Sequence, residues 1–416
     1  MTSKWQWILS IVSRKLWIRV ALFALLAVIV PFFSMILRPI IPDNTYTNIG
    51  GNSVDEILNI LASSMLTVTT FSLNIMISAY SSATNNVTPR ATRLLMEDST
   101  TQNVLATFIG SFLFSLVGII TINAGIYDHK GRFILFIVSI VIVILIVITL
   151  LKWIQHLSLL GRVTETSSRI EKTTAKALIE RAKNPYLGAN PWYNPNQRLK
   201  DVYPIYSQSV GYVTHIDMKA ISDYADTNQI KIYIKGTPGI FIHPSKPVLL
   251  IQYSKDSGSI DINSLLNAIT INSTRSFDQD PRFGLAVLTE IASKAINTND
   301  KGTVIDVLGR AMRLLIIWDK ETTQYNHKVL FPLLYACPIY LSDLFDDIFT
   351  PIARDGAANI EIQIILQKTL MGLAKSSPGK FMKEAKKCSI NALTISEISL
   401  PFESDKQRLR HLVKHF

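Results

Sequence analysis

The sequence predicts a membrane-embedded α-helical N-terminal region joined to a cytoplasmic α+β region. Three observations lead there. Of the 416 residues 48% are hydrophobic and the mean hydropathy is +0.26, too apolar for an ordinary soluble enzyme and too polar for a chain held in lipid from end to end. The apolar residues gather in the first 156 positions, in four runs long enough to cross a bilayer. Beyond them the pattern turns to short alternating stretches and then to apolar residues at three- and four-residue spacing.

Residues 1–15 read as an interfacial segment. "KWQWILSIVSRKLWIR" sets Trp5, Trp7 and Trp17 among Lys4, Arg14, Lys15 and Arg19, and tryptophan beside cations marks the headgroup zone. A four-helix transmembrane domain over 16–156 follows, with crossings expected near 16–37, 57–80, 104–124 and 133–153. The first carries Pro31, Phe32 and Phe33 inside its apolar run and no small-residue cleavage site, so it is predicted as a retained, bent anchor rather than a signal peptide. The fourth, "FILFIVSIVIVILIVITLLKW", is apolar all round and is expected to face lipid. The polar second crossing and Gly110, Ser111, Ser115 and Gly118 of the third are expected to face protein. Basic residues favour one side: the N-terminal flank, Arg90 and Arg93 between crossings two and three, and Lys152 and Arg162 after crossing four, against Arg38, Lys130 and Arg132 opposite. That bias predicts a multi-pass protein of the bacterial inner membrane with both termini in the cytoplasm.

The second crossing raises the functional question. "SSMLTVTTFSLNIMISAYSSATNNVTPR", Ser63 to Arg90, has the length of a span yet is dense in hydroxyls and amides. At 100° per residue Asn59, Ser63, Thr67, Thr70, Asn74, Ser78, Ser81 and Asn85 share an arc of about 100°. Met65, Leu73 and Met76 fall outside it, as do two further hydroxyl residues, Thr69 and Ser72. Such a stripe either lines a wet, uncharged pathway at the centre of an oligomer or hydrogen-bonds to neighbouring helices. It runs the whole length of the span, whereas a packing contact needs two or three small polar residues. No charged residue lies near the middle of any crossing, which argues against a proton-driven carrier.

After the membrane, residues 157–202 form a connecting helix and a linker. "GRVTETSSRIEKTTAKALIERAK" is predicted helical with Arg, Lys and Glu on an exposed face, and "NPYLGANPWYNPNQR" breaks it with Pro, Asn and Gly. Residues 203–255 read as a small β-rich module: "SVGYVTHID", "QIKIYIKGTPGIFI" and "KPVLLIQY" are strand-like, and about 50 residues bury little alone, so packing on later helices is expected. "TPGIFIHPSKPVLLI" also looks like the hairpin of lipoyl- and biotinyl-type domains, without the lysine those modify at a tight turn. A hybrid-barrel-like module with no cofactor is the expectation. Residues 256–416 are predicted as an α-helical domain, with Asp280 as N-cap and Pro281 at the first helical position of one strong start signal.

The stretches "SSMLTVTTFSLNIMISAYSS…TPR", "GYVTHID…TPGIFIHPSKPVLLI", "TRSFDQDPRFG" and "FTPIARDGAANIEIQIILQKTL" together resemble a bacterial family of predicted membrane proteins known only as a domain of unknown function. The resemblance implies about four N-terminal crossings and a cytoplasmic C-terminal half, and no established activity. Where members of that family read Pro-Gly-Asp, this chain has Pro238, Gly239 and Ile240.

Other motifs read structurally. "FDQDPRFG" holds Asp278, Asp280 and Arg282, with Arg275 nearby, as a structural or ligand-binding acidic motif in which Asp280 caps a helix. Asp343, Asp346 and Asp347 read as a solvated helix face. Asn297, Asn299, Asp300 and Gly302 suit a turn better than a calcium loop. The two cysteines, Cys337 and Cys388, have no metal spacing. The seven histidines make no ligand pair, and no nucleophile–base pair or phosphate loop is visible. No catalytic residues, cofactor or metal are therefore predicted. A net charge of +11 without basic runs interleaved with aromatics predicts no nucleic-acid partner.

Two functions fit. One is a homo-oligomeric channel for ions or small solutes, lined by the second crossing, with a cytoplasmic gating or assembly domain. The other is a non-conducting, membrane-anchored sensor or interaction protein whose cytoplasmic part binds a protein or small-molecule partner. Both predict the lipid bilayer as surroundings, and the first requires self-association.

Overall fold

The computed structural model describes residues 53–96, 98–125, 129–195, 199, 201–252, 261–325 and 328–416, with isolated positions 8, 18, 20, 21, 25 and 29. Apart from those isolated positions, the interfacial segment 1–15 and the expected first crossing lie outside the described residues. The described chain divides into two compact units, 53–85 with 92–165, and 86–91 with 166–416.

The first unit is built from α1 (Ser53–Asn86), most of α2 (Pro89–Met96), α3 (Ser99–Asn123) and α4 (His129–Leu157). Three stretches are long and apolar enough to cross a membrane: Ser53–Asn85, Ser99–Asn123 and Gly131–Leu157. They coincide with the expected second, third and fourth crossings. α3 is the most enclosed, with 56% of its apolar window buried against 22% for α1 and 17% for α4. Gly110, Ser111, Ser115 and Gly118 of α3 are all buried. A Cβ on Gly118 would stand 2.9 Å from Leu58 Cδ1, so glycine lets the Leu58 side chain of α1 lie directly against α3. The buried hydroxyls of Ser111, Ser115 and Ser139 donate to carbonyls four residues back in their own helices at 2.7–2.9 Å. α4 instead leaves Val141, Ile144, Val147 and Leu151 exposed, as its uniform apolarity predicts. Asp98 caps α3 through the Thr101 N–H at 3.1 Å and lies 2.8 Å from His156 Nε2 near the end of α4.

The second unit opens with α5 (Val163–Lys183), most of which belongs to it. Then come β1 (Ala189–Pro191), β2 (Val202–Tyr206), β3 (Gly211–Ile216), α6 (Met218–Asn228), β4 (Lys231–Ile234), β5 (Phe241–Ile242), β6 (Pro247–Gln252), α7 (Ile262–Asn267) and β7 (Ile269–Asn272). The helical remainder is α8 (Pro281–Asn297), α9 (Lys301–Gln324), the intervening β8 (Phe331–Ala336), α10 (Leu341–Asp355), α11 (Ile360–Ser376), α12 (Pro378–Ser399) and α13 (Glu403–Lys414).

The strands make two sheets rather than one local barrel. One has the order β1-β8-β4-β6-β2, with β8 parallel to both β1 and β4; the other is antiparallel, β5-β3-β7. β5 and β6 belong to different sheets, so the hairpin suggested by "TPGIFIHPSKPVLLI" does not form. The sheets also draw on sequence outside 203–255: β1 lies in the Pro/Asn-rich linker, and β7 and β8 lie in the stretch expected to be helical. β8 reads "FPLLYA", too short to be told from a buried helical turn by periodicity. Leu187, Ala189 and Leu334 join the sheet core with Val213, Ile232 and Leu249. The linker is thus anchored by burial rather than merely connecting.

Helix starts follow their caps. Asp280 accepts from the Phe283 N–H at 3.2 Å with Pro281 first in α8; Asp300 and Asn359 do the same for α9 and α11. Gly284 of "DPRFG" is a close-approach residue, since a Cβ there would meet Thr174 Oγ1 of α5 at 1.8 Å. Asn299 has φ +58° just before the Asp300 cap, the turn geometry that its segment predicts.

Candidate functional site

Asn59, Ser63, Thr67, Thr70, Asn74, Ser78, Ser81 and Asn85 are all exposed on α1. The helix packs with its opposite side. Val54, Leu58, Leu61, Met65, Thr69, Ser72 and Ala83 are buried, and at 100° per residue their mean direction lies about 180° from the stripe. The second crossing therefore meets the other described helices of its unit through a mainly apolar face, and packing of its polar side on protein is not seen among the described residues. Interhelical bonding falls to a hydroxyl outside the stripe: Ser72 Oγ accepts from Trp153 Nε1 of α4 at 3.0 Å, while Thr69 Oγ1 returns to Met65 O at 2.6 Å.

Within the stripe, hydroxyls bond to their own helix. Ser63 Oγ donates to Asn59 O at 2.9 Å, Thr67 Oγ1 to Ser63 O at 3.0 Å and Thr70 Oγ1 to Leu66 O at 2.9 Å. Each keeps acceptor capacity directed outward. Apolar side chains border the stripe, Leu66 and Phe71 being 52% and 64% exposed. Over the length of the stripe the face is mainly polar and carries no charge after Glu56 in the first turn, with Ile60 and Ile77 exposed along it, and none of its eight residues is covered by the other described residues.

The acidic motif sits in the second unit and is held by arginines. Asp280 is buried, and Arg275 grips it with two bonds, Nε to Oδ2 at 2.7 Å and Nη2 to Oδ1 at 3.0 Å. Burial pushes the Asp280 carboxyl up, while Arg275, the Phe283 N–H and Arg181 draw it down. Gly239, at φ +90°, lies so near that a Cβ would come within 2.4 Å of Asp280 Oδ2. Asp278 accepts from Ser276 Oγ at 3.0 Å, within its own turn. Arg282 points to α10, with paired bonds to Asp347 at 2.7 and 3.0 Å and one to Asp343 at 2.8 Å. Burial alone would lower the Arg282 guanidinium, but the bonds to Asp347 and the charges of Asp347, Asp343 and Asp280 raise it. Asp343 and Asp347 are accordingly not a bare solvated face. Their four-residue spacing presents two carboxylates to one guanidinium.

Around this motif lies a cavity of about 400 Å³ lined by Arg181, Lys235, Lys246, Arg275, Arg282, Asp280, Asp343, Cys337 and Tyr340, among others. Sequence reasoning placed the charges of α5 on an exposed face, but Arg181 is only 5% exposed. Nothing local in "ALIERAK" marks it out; its burial follows from the meeting of α5 with the loop before α8. Lys235, Lys246 and Tyr340 were likewise missed, because three separate segments bring them together.

With the geometry in hand, comparison with known proteins identifies the chain. The family model described as "Predicted membrane protein (DUF2254)" matches residues 13–371, most of the sequence, and the chain belongs to that family. No curated protein and no solved structure matches it.

Proposed function

We propose that this member of the predicted membrane protein family assembles into a homo-oligomer of the bacterial inner membrane, with α1 of each copy lining a polar, uncharged pathway for ions or small solutes. In this reading both termini are cytoplasmic and the second unit serves in gating or assembly. One observation carries it: the eight-residue stripe is exposed on the side of α1 opposite its packing face. The carboxamides of Asn59, Asn74 and Asn85 turned to hydrocarbon would lose hydration, and the hydroxyls would lose it at their remaining acceptor sites. Facing a shared water column, the same groups stay solvated, and the bordering Leu66 and Phe71 supply apolar contact between copies.

A second reading draws on a different observation. Because the hydroxyl protons of Ser63, Thr67 and Thr70 are satisfied within the helix, part of the face tolerates lipid, as a non-conducting anchored sensor would require. Planar-bilayer recording on purified protein separates the two. The channel reading expects conductance that falls on Asn74→Leu and Thr70→Val, and a detergent particle mass of several subunits. A monomeric particle, or no conductance in wild-type protein, would establish the anchored sensor instead.

A further inference from the structure

The cavity beside the acidic motif has an excess of positive charge that the described residues do not neutralise. Five cations line it, Arg181, Lys235, Lys246, Arg275 and Arg282, against two carboxylates, Asp280 and Asp343. Arg275 is matched by Asp280, and Arg282 by Asp343 and Asp347. Arg181, Lys235 and Lys246 make no ion pair among the described residues. Lys246 Nζ donates to Phe241 O at 3.1 Å.

Arg181 is the telling group. It is 5% exposed, yet among the described residues its five N–H donors find one acceptor, Gln279 O, at the long distance of 3.5 Å. The nearby Asp280 charge favours its protonated form, but both Asp280 oxygens already accept from Arg275 and one also accepts the Phe283 N–H. A largely buried guanidinium on a cavity wall, most of whose donors no described residue meets, offers an anion charge-assisted hydrogen bonds. Burial lowers its pKa only to about 10, so it is a cation at neutral pH.

We propose that this cavity is a binding site for a small soluble organic phosphate, with the phosphoryl oxygens held by Arg181, Lys235 and Lys246. The two arginines that already hold carboxylates, Arg275 and Arg282, form the rigid frame. The remaining donors are one guanidinium and two ammonium groups from α5, from the end of β4 and from the turn before β6. They suit a tetrahedral oxyanion approached from several directions better than a planar carboxylate met by one fork. Pro238, Ile240, Pro338, Ile339 and Tyr340 give the cavity an apolar wall for the organic part. The proposal stands independently of conduction.

The test uses full-length protein in detergent or nanodiscs at low salt, titrated calorimetrically with inorganic phosphate and with a nucleoside 5′-monophosphate. Both are expected to bind, the nucleotide more tightly, with affinity falling as salt rises. Lys235→Gln with Lys246→Gln, at half-buried positions compatible with folding, is expected to weaken binding at least about tenfold. Lys383→Gln with Lys386→Gln, exposed on α12 and outside the cavity lining, removes the same charge and is expected to leave it unchanged. Cys337 lines the cavity, so ligand should also slow its alkylation as read by peptide mass spectrometry. Absence of binding by both probes at millimolar concentration would overturn the proposal, as would affinities indifferent to the double lysine variant. Should vesicles of phosphatidic acid bind through these lysines while both soluble probes fail, the soluble-ligand assignment is likewise overturned.

Discussion

The two units dispose of their polar groups in opposite ways. In the first, the eight stripe residues of α1 are uncharged and stand exposed, and Ser63, Thr67 and Thr70 among them close their hydrogen bonds within the helix. In the second, the groups around α8 are charged, reach across the fold and are mostly matched: Arg275 to Asp280, Arg282 to Asp347 and Asp343. The difference teaches what each surface tolerates. A side chain bonded to its own helix needs no neighbour and leaves its face free for water or another copy. A buried charge needs a fixed partner, and one without enough partners, Arg181, marks a place where something else is wanted.

The comparison is broken most forcefully at Asp280. Asp280→Ala removes the α8 cap and strips the counter-charge from Arg275 and Arg181 together. A loss of about 3–5 kcal/mol is expected, because breaking a buried pair leaves an uncompensated charge. Denaturant unfolding followed in the second unit measures it, and a loss near that of a surface substitution would show that Asp280 is not the hub. Gly284→Ala comes next. Its Cβ cannot coexist with Thr174 Oγ1 at 1.8 Å, so α5 and α8 must separate, at about 1–3 kcal/mol. Thr174→Ala in the same chain is expected to restore part of that stability.

These contacts also show what was legible in the sequence. Capping carries its own signature, so Asp280-Pro281 announced α8, whereas Asp300, which caps α9, was legible only as part of a turn. The three described crossings were visible because eighteen or more apolar residues have few other uses. The exposure of the stripe was half legible: periodicity separated Thr69 and Ser72 from the eight others, but only packing shows which side faces the protein. The two sheets were not legible, since β8 joins β4 in parallel from about a hundred residues away and no local pattern encodes a distant parallel partner. Arg181 was missed for the same reason. A charged residue on a polar helix reads as solvated until tertiary contacts bury it.

A smaller effect concerns the link between α5 and α9. Glu171 accepts from Arg313 Nε and Arg310 Nη1, both at 2.6 Å. Burial raises its carboxyl, but the bonds and charges of Arg313 and Arg310 outweigh this, leaving it below its ordinary value of 4.5. With the folded value depressed, the contribution is complete above pH 4.5 and is lost as pH falls through the folded value. Glu171→Gln is thus expected to flatten the acid limb of stability against pH. Arg313 is largely exposed, but Arg310 is buried and keeps Asp306 as a second partner, so the effect at neutral pH is about 1–2 kcal/mol. An unchanged acid limb would show that the bridge does not couple the helices.

The smallest effects sharpen the comparison within α1 itself. Ser72 and Thr70 are both hydroxyl residues of one helix, two positions apart, on opposite sides. Ser72→Ala leaves the buried Trp153 N–H without its acceptor, and a loss of about 0.6–1.7 kcal/mol is expected, the range for interhelical bonds in membranes. Thr70→Val removes only a bond to its own helix on an exposed face, so stability should change by less than about 0.5 kcal/mol. Steric-trap or denaturant unfolding in micelles gives the two numbers, and their order is the decisive reading. A larger loss at Thr70 would mean that the stripe serves packing after all. A negligible loss there, with conductance altered by the same substitution, would separate the stripe's role in function from its role in folding.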